Sequence, residues 1–246
     1  MPLSVRNVSV GYGNKVVVHH ASLDVSEKEV VALIGHNGAG KTTFLNGIFG
    51  LLSVRQGDIE WNGRSILKSS PANNVRAGLG YAPQGPQIYS TLTIRENLRL
   101  GAFNVRSQRE ANENIRRALD LFTILFERLS TKAGTLSGGE RQMLAMGSII
   151  AAGPKLVFLD EPSGGLAPMM VERMFGAIRR MVDEFGVSVL VVEQNIRAAF
   201  RVADRIYVMT KGMTVGNGTP ADLEGSDRLR EMFLSGNQPT ATKHAL

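Results

Sequence analysis

The 246-residue chain contains no cysteine. Disulfides, cysteine–zinc sites and a thiol nucleophile are therefore excluded. Aromatic residues make up 6% of the chain, with a single tryptophan. No uncharged apolar run approaches the roughly 18 residues that a membrane helix needs. The N-terminal stretch Met1-Pro2-Leu3-Ser4-Val5-Arg6 has no apolar signal-peptide core. The expectation is a soluble, cytoplasmic protein that touches membranes only through partners. Hydrophobic residues nevertheless reach 43%, enough for a sizeable core in one large α/β domain or two small ones.

Net charge is +6, which is compatible with nucleotides, anionic lipid or nucleic acid. The cations are scattered. Arg95, Arg99, Arg106, Arg109, Arg116 and Arg117 fall in a region of helical character with no interleaved aromatics. A solvated helical face near acidic headgroups fits that pattern better than a nucleic-acid groove.

One segment carries specific chemistry. Gly35-His36-Asn37-Gly38-Ala39-Gly40-Lys41-Thr42 has the spacing Gly-x-x-x-x-Gly-Lys-[Ser/Thr], followed by Thr43. It follows the apolar run Val30–Ile34 and opens a helical stretch expected to end near Leu52. That strand–loop–helix setting distinguishes a phosphate loop from an ordinary glycine turn. Backbone N–H groups freed by the glycines cradle phosphate oxygens at the positive end of a helix. Lys41 would reach the β- and γ-phosphates, and Thr42 would ligate Mg²⁺.

The rest of the chain reads as α/β. Leu3–Val10, Val16–Val25 and Val30–Ile34 are β-like, and Ile59–Trp61 runs into an Asn62-Gly63 turn. Leu79–Ala82 is a short strand closed by Pro83. From about Thr91 to Ala152 the pattern turns helical, with Ile115, Ala118, Leu119, Phe122, Phe126 and Leu129 on one stripe. A helix is predicted from Gly138 to Ala152, stopped by Gly153-Pro154. Leu156–Leu159 and Val187–Val192 have the all-apolar character of buried parallel strands, and Ile206–Met209 and Thr214–Val215 flank a Lys211-Gly212 turn. The predicted architecture is an α/β nucleotide-binding core with a helical insertion over roughly residues 85–152. It should fill residues 1–236, ahead of a loose tail over 237–246.

Asp160 and Glu161 follow the strand Leu156–Leu159. An acid at that place can hold Mg²⁺ opposite the phosphate loop, which we assign to Asp160. Glu161 would then polarise an attacking water. By themselves the two would be acids at a strand end. Leu136-Ser137-Gly138-Gly139-Glu140 precedes the predicted helix, with Ser137 where an N-cap belongs. As a bare pentapeptide it could be a cap and nothing more. Followed by Arg141-Gln142, it resembles the signature sequence of ATP-binding cassette (ABC) ATPases, and Ser137 stands 23 residues before Asp160, a spacing typical of that family.

The resemblance covers roughly residues 3–235. It implies a P-loop NTPase core with an antiparallel β subdomain and an inserted α-helical subdomain. Tyr12 matches the aromatic residue that stacks on adenine, or is an exposed tyrosine at a strand end. Gln84 matches the glutamine that contacts Mg²⁺ and water, or is a loop glutamine. Ser163-Gly164-Gly165-Leu166 matches the loop through which two cassettes touch. Two positions depart from the family pattern. Ala167 stands where most cassettes place an acid, and Gln194 stands where most place a histidine. Glutamine cannot be protonated, but its amide can donate a hydrogen bond to a γ-phosphate. The four histidines, His19, His20, His36 and His244, match no catalytic position; His36 enters only through the backbone of the phosphate loop.

Glu161-Pro162-Ser163-Gly164-Gly165-Leu166-Ala167-Pro168 and Val192-Glu193-Gln194-Asn195 are similar to the second ATP-binding subunit of branched-chain amino acid importers, and to urea and short-chain amide importers. That resemblance implies ATP and Mg²⁺ as ligands and a head-to-tail dimer. Ser137, Gly138 and Gly139 would complete the partner's site, and dimer closure would move the membrane subunits. The implied partners are a second cassette, as a heterodimer or a homodimer, two transmembrane permease subunits and, indirectly, an extracytoplasmic solute-binding protein. No nucleic acid is expected. The chain would sit peripherally on the cytoplasmic face of the membrane. Two rivals remain. A lipopolysaccharide-extracting subunit would usually keep the His and Asp. A soluble ABC ATPase acting on DNA or ribosomes would carry long coiled coils or two tandem cassettes.

Overall fold

A computed structural model describes residues 2–224. Two sheets organise the described residues. The first is antiparallel. β1 (Leu3–Tyr12) pairs with β2 (Lys15–Val25) on one side and β4 (Val54–Trp61) on the other, and β5 (Arg64–Ser65) closes its edge.

The second sheet has six strands. From one edge they are β10 (Met213–Gly218), β9 (Arg205–Thr210), β3 (Val30–Ile34), β8 (Ser188–Glu193), β7 (Leu156–Asp160) and β6 (Leu79–Ala82). All neighbours are parallel except β10 with β9. The apolar runs read from the sequence have the reason expected for parallel strands, since both faces are covered. Val30, Ala32 and Ile34 enter one hydrophobic cluster while Val31 and Leu33 enter the other. The same alternation divides Val157 and Leu159 from Leu156 and Phe158. Arg205 ties the two sheets together, bonding Asp24 of β2 at 2.6 Å and Glu29 at 2.5 Å.

α1 (Lys41–Phe49) leaves the phosphate-loop segment. It ends three residues before the expected Leu52. Gly50 takes the left-handed conformation (φ 85°) and returns its N–H to Gly47, a glycine stop that the apolar residues beyond it masked. α2 (Pro71–Arg76) precedes β6. Between β6 and β7 lie α3 (Ile94–Gly101), α4 (Gln108–Leu121), α5 (Thr123–Phe126) and α6 (Gly138–Ala151).

The predicted stripe from Ile115 to Leu129 is broken within this group. α4 stops at Leu121, Phe122 leaves the helical region (φ −123°), and Phe126 is 64% exposed. Helical spacing across a break does not keep residues on one face. Arg95, Arg99, Arg106, Arg109 and Arg116 are exposed, as a solvated face requires, whereas Arg117 is half-buried, paired with Glu113 at 2.6 Å and set over the Phe185 ring.

α7 (Pro168–Phe185) had no counterpart in the sequence reading. It begins with Pro at its first turn and ends on left-handed Gly186. α8 (Ile196–Val202) and α9 (Pro220–Leu223) follow β8 and β10. The expected cassette end at 236 and the expected tail over 237–246 lie outside the described residues.

Candidate functional site: a phosphate-loop cleft at the ends of four parallel strands

Because β3, β8, β7 and β6 are parallel neighbours, their C-terminal ends share one edge of the sheet. Loops leaving that edge form the ligand crevice of open α/β sheets. Here it collects Gly35–Thr43 after β3, Gln194 after β8, Asp160 and Glu161 at the end of β7, and Gln84 after β6. An open cleft of about 380 Å³ is lined by Asn37 through Thr43, Gln84, Glu161 and Val17.

The loop's shape depends on its glycines. Gly38 and Gly40 take left-handed φ values of 77° and 101°, accessible to glycine at no steric cost. A Cβ on Gly35 would lie against the carbonyl oxygen of Met209 in β9. Gly212 anchors the loop from β10's turn, donating its N–H to Ala39 at 2.8 Å.

Lys41 is 5% exposed. Its Nζ donates to the carbonyls of Gly35 (2.9 Å) and His36 (3.3 Å) and lies 3.6 Å from Glu161 Oε1. Thr42 Oγ1 donates to Asp160 Oδ1 at 3.0 Å. The second Asp160 oxygen is buried without a hydrogen-bond partner. Burial pushes the Asp160 carboxyl above its ordinary value; the Thr42 bond opposes that, Glu161 adds to it and Lys41 opposes it. Gln84 Nε2 donates to Glu161 Oε2 at 3.2 Å. Glu161 itself has φ 49°, uncommon for a side-chain-bearing residue, and its N–H bonds Val192 O at 2.9 Å.

Tyr12 stands at the end of β1, half-exposed, with its hydroxyl 3.4 Å from Thr43 Oγ1. The ring thus borders the start of α1. Gln194 is exposed and lines a second, smaller hollow of about 250 Å³ with Ser163, Gly164, Glu193, Asn195 and Glu161. Glu161 is common to both spaces.

Ser137, Gly138 and Gly139 line neither hollow. They start α6 on the surface. Ser137 accepts the Glu140 N–H and Glu140 accepts the Ser137 N–H at 2.7 Å, a reciprocal cap. The cap reading is the observed local structure, and Ser137 and Gly138 are exposed beside it.

The glycine-rich loop meets the acids at the end of β7, and Ser137, Gly138 and Gly139 open α6 at the surface outside that cleft. The chain belongs to the ABC transporter family. The family model described as "ABC transporter" matches residues 18–164. The chain is 38% identical over 234 residues to the high-affinity branched-chain amino acid transport ATP-binding protein BraG of Pseudomonas aeruginosa, covering 95% of this chain and 100% of that protein. It is 32% identical over 235 residues to the lipopolysaccharide export system ATP-binding protein LptB of Haemophilus influenzae, covering 94% and 96%. A solved ATP-binding subunit of an ABC transporter superposes with a TM-score of 0.82 at 29% identity, covering 97% of this chain and all of that one. The cassette is thus an ATP-binding ATPase subunit, and the expected P-loop fold with its antiparallel sheet and inserted helices is the fold observed.

Two residues of the site escaped the sequence reading. Val17, on β2, lines the cleft because β2 packs over the phosphate loop. Glu193 was read only as part of a motif, yet its carboxylate is 1% exposed and accepts four hydrogen bonds. Burial pushes this carboxyl upward while bonds from Ser163, Asn195 and Gln194 oppose the shift. The available signal was a carboxylate closing an all-apolar strand, as Asp160 closes β7.

Proposed function

We propose that the chain hydrolyses ATP to drive a membrane importer for branched-chain amino acids. The observation that carries this reading is 38% identity to BraG along that protein's whole length. Gln194 and Ala167 favour it over lipopolysaccharide export, since exporter cassettes of that kind usually keep a histidine and an aspartate there. A urea or short-chain amide importer shares the same loop pattern and is the second reading.

In this proposal Gly35, His36, Asn37, Gly38, Ala39 and Gly40 present backbone groups to the phosphates, Lys41 reaches the β- and γ-phosphates, and Thr43 extends the cradle. Tyr12 stacks on adenine. Glu161 polarises the water, with Gln84 and Gln194 positioned on either side of it. Ser137, Gly138 and Gly139 meet the nucleotide held by the partner cassette, because they lie outside their own cleft. ATP bridging two such surfaces favours the closed dimer, and loss of the γ-phosphate lets it reopen.

The donors also fit Mg²⁺. Among the described residues no group of three or more His, Cys, Asp or Glu side chains could cage a metal. Thr42, Gln84 and Asp160 instead offer hard oxygen donors beside the phosphate loop, with one buried Asp160 oxygen lacking a partner. That suits an ion that arrives largely coordinated by nucleotide phosphates and water. When bound it would neutralise charge on the β- and γ-phosphates.

Among the described residues no helix is long and apolar enough to cross a membrane, so membrane contact falls to permease partners. An apolar hollow of about 330 Å³ between β6 and α6, lined among others by Phe49, Tyr81, Pro83, Met146 and Ile149, supports such docking. Exposed Tyr89, Leu100 and Phe103 on the helical insertion support it as well.

Capture of the chain from detergent-solubilised native membranes tests the proposal. Recovery of two multi-span proteins and a second cassette is the expected result, followed by uptake of leucine, isoleucine and valine through the complex. Uptake of urea or amides instead would select the second reading. Recovery of only soluble, ribosomal or DNA-bound partners would overturn the transport role.

A further inference from the structure

The four donors on Glu193 come from two separate loops. Ser163 N–H bonds Oε1 at 3.0 Å, and Ser163 Oγ bonds Oε2 at 3.0 Å. Gln194 N–H and Asn195 N–H bond Oε2 at 3.1 and 3.2 Å. Ser163 follows Glu161 by two residues, and Gln194 is adjacent to Glu193. A buried carboxylate is costly unless its oxygens are fully bonded. A neutral amide could not replace it, because its NH₂ would face donors. A site needing only stability at two strand ends could use apolar packing. The carboxylate serves where several N–H and O–H groups must be held at once.

We propose that Glu193 is a positioning residue for ATP hydrolysis. Its carboxylate ties the Ser163 loop to the Gln194–Asn195 turn and so holds Gln194 at a set separation from Glu161. Both loops move as one body when the nucleotide changes. This rests on the reading above, in which Gln194 and Glu161 act on the γ-phosphate and water.

The test uses the full-length chain with MgATP. In Glu193→Gln, the amides of Ser163, Gln194 and Asn195 should exchange at least about tenfold faster, while Leu190 and Val191 in β8 keep their protection. kcat should fall about tenfold with KM for MgATP within about twofold, a split that a general loss of structure would not give. The double variant with Gln194→Ala should be no slower than the slower single, because the two act as one unit. Faster exchange confined to one loop, unchanged kcat, or additive losses with an impaired Gln194→Ala would overturn the proposal. A fully active Gln194→Ala would instead show that the underlying reading of Gln194 fails, and the proposal with it. Should Glu193→Gln loosen β8 itself, Ser163→Ala decides. It leaves three backbone bonds in place, and kcat about threefold lower at unchanged KM supports the tie, whereas unaltered kcat overturns it.

Discussion

The hydroxyl of Thr42 and the carboxylate of Asp160 meet at 3.0 Å across 118 positions of sequence. This bond joins the start of α1 to the end of β7, and it leaves the other Asp160 oxygen buried and unpartnered. An acid whose proton is held more tightly in the folded chain stabilises it fully below the unfolded pKa. That stability is lost as pH rises through the raised value. Asp160→Asn relieves the loss. In EDTA and without nucleotide, the variant should melt above the parent at pH 8, by roughly 2–4 °C per kcal/mol relieved. The gap should shrink toward pH 4. MgATP hydrolysis should fall by about a hundredfold or more. Calorimetry across pH, paired with phosphate release, checks both; a variant no more stable at pH 8 refutes the burial argument.

Glu161 touches Lys41 and Gln84 and borders both hollows. Glu161→Gln keeps its size and its bond to Gln84 while removing the base. Nucleotide binding should stay within about twofold and turnover should drop by about 10²–10⁴. Normal hydrolysis in this variant would end its assignment.

Two glycines of the phosphate loop should respond differently to alanine. At Gly35 a Cβ meets backbone oxygen, which cannot swing away. Gly35→Ala should cost about 1–3 kcal/mol and abolish nucleotide binding. At Gly38 nothing lies within 4 Å of a Cβ, and φ of 77° is the sole obstacle. Gly38→Ala should cost about 1 kcal/mol. Denaturant unfolding and nucleotide titration compare them, and equal effects would contradict the geometry.

The Glu140 carboxyl is pushed below its ordinary value, chiefly by the Ser137 N–H bond, with Arg128 at 2.6 Å assisting. A depressed acid contributes stability above its unfolded pKa and loses it as pH falls through the folded one. Glu140→Ala should cost about 1 kcal/mol at pH 7, a difference that begins to shrink near the ordinary value of 4.5 and vanishes below the lowered folded one. A constant difference down to pH 2 would exclude the cap as its source.

Gln194→His places a titrating group in the hollow beside Glu161. In the assembled transporter, hydrolysis should acquire a new pH dependence near about 6.5. Identical coupled activity and an identical pH profile would remove any special role for the glutamine.

The strand–loop–helix around Lys41 and the acids closing β7 were legible because their pattern is local: a strand, a turn and a helix start are contiguous in the chain. Parallel strands were legible from their unbroken apolar runs. α7 and the end of α1 were missed where a glycine stop or a proline start mattered more than apolar spacing. Phe126 was misplaced because Phe122 breaks the helix that would have carried it inward.

The order of the residues alone determined that a glycine-rich loop joins β3 to α1 and that Ser137 begins a helix, since caps and glycine turns act within a few residues. Tertiary structure decided what lies beside what. The strand order β3-β8-β7-β6 brings Lys41, Gln194, Glu161 and Gln84 to one edge, and it keeps the signature at a surface outside that cleft. It also makes Glu193 the meeting point of two loops. Such relations depend on which strands pair through long-range hydrogen bonds and core burial, and no local pattern encodes that.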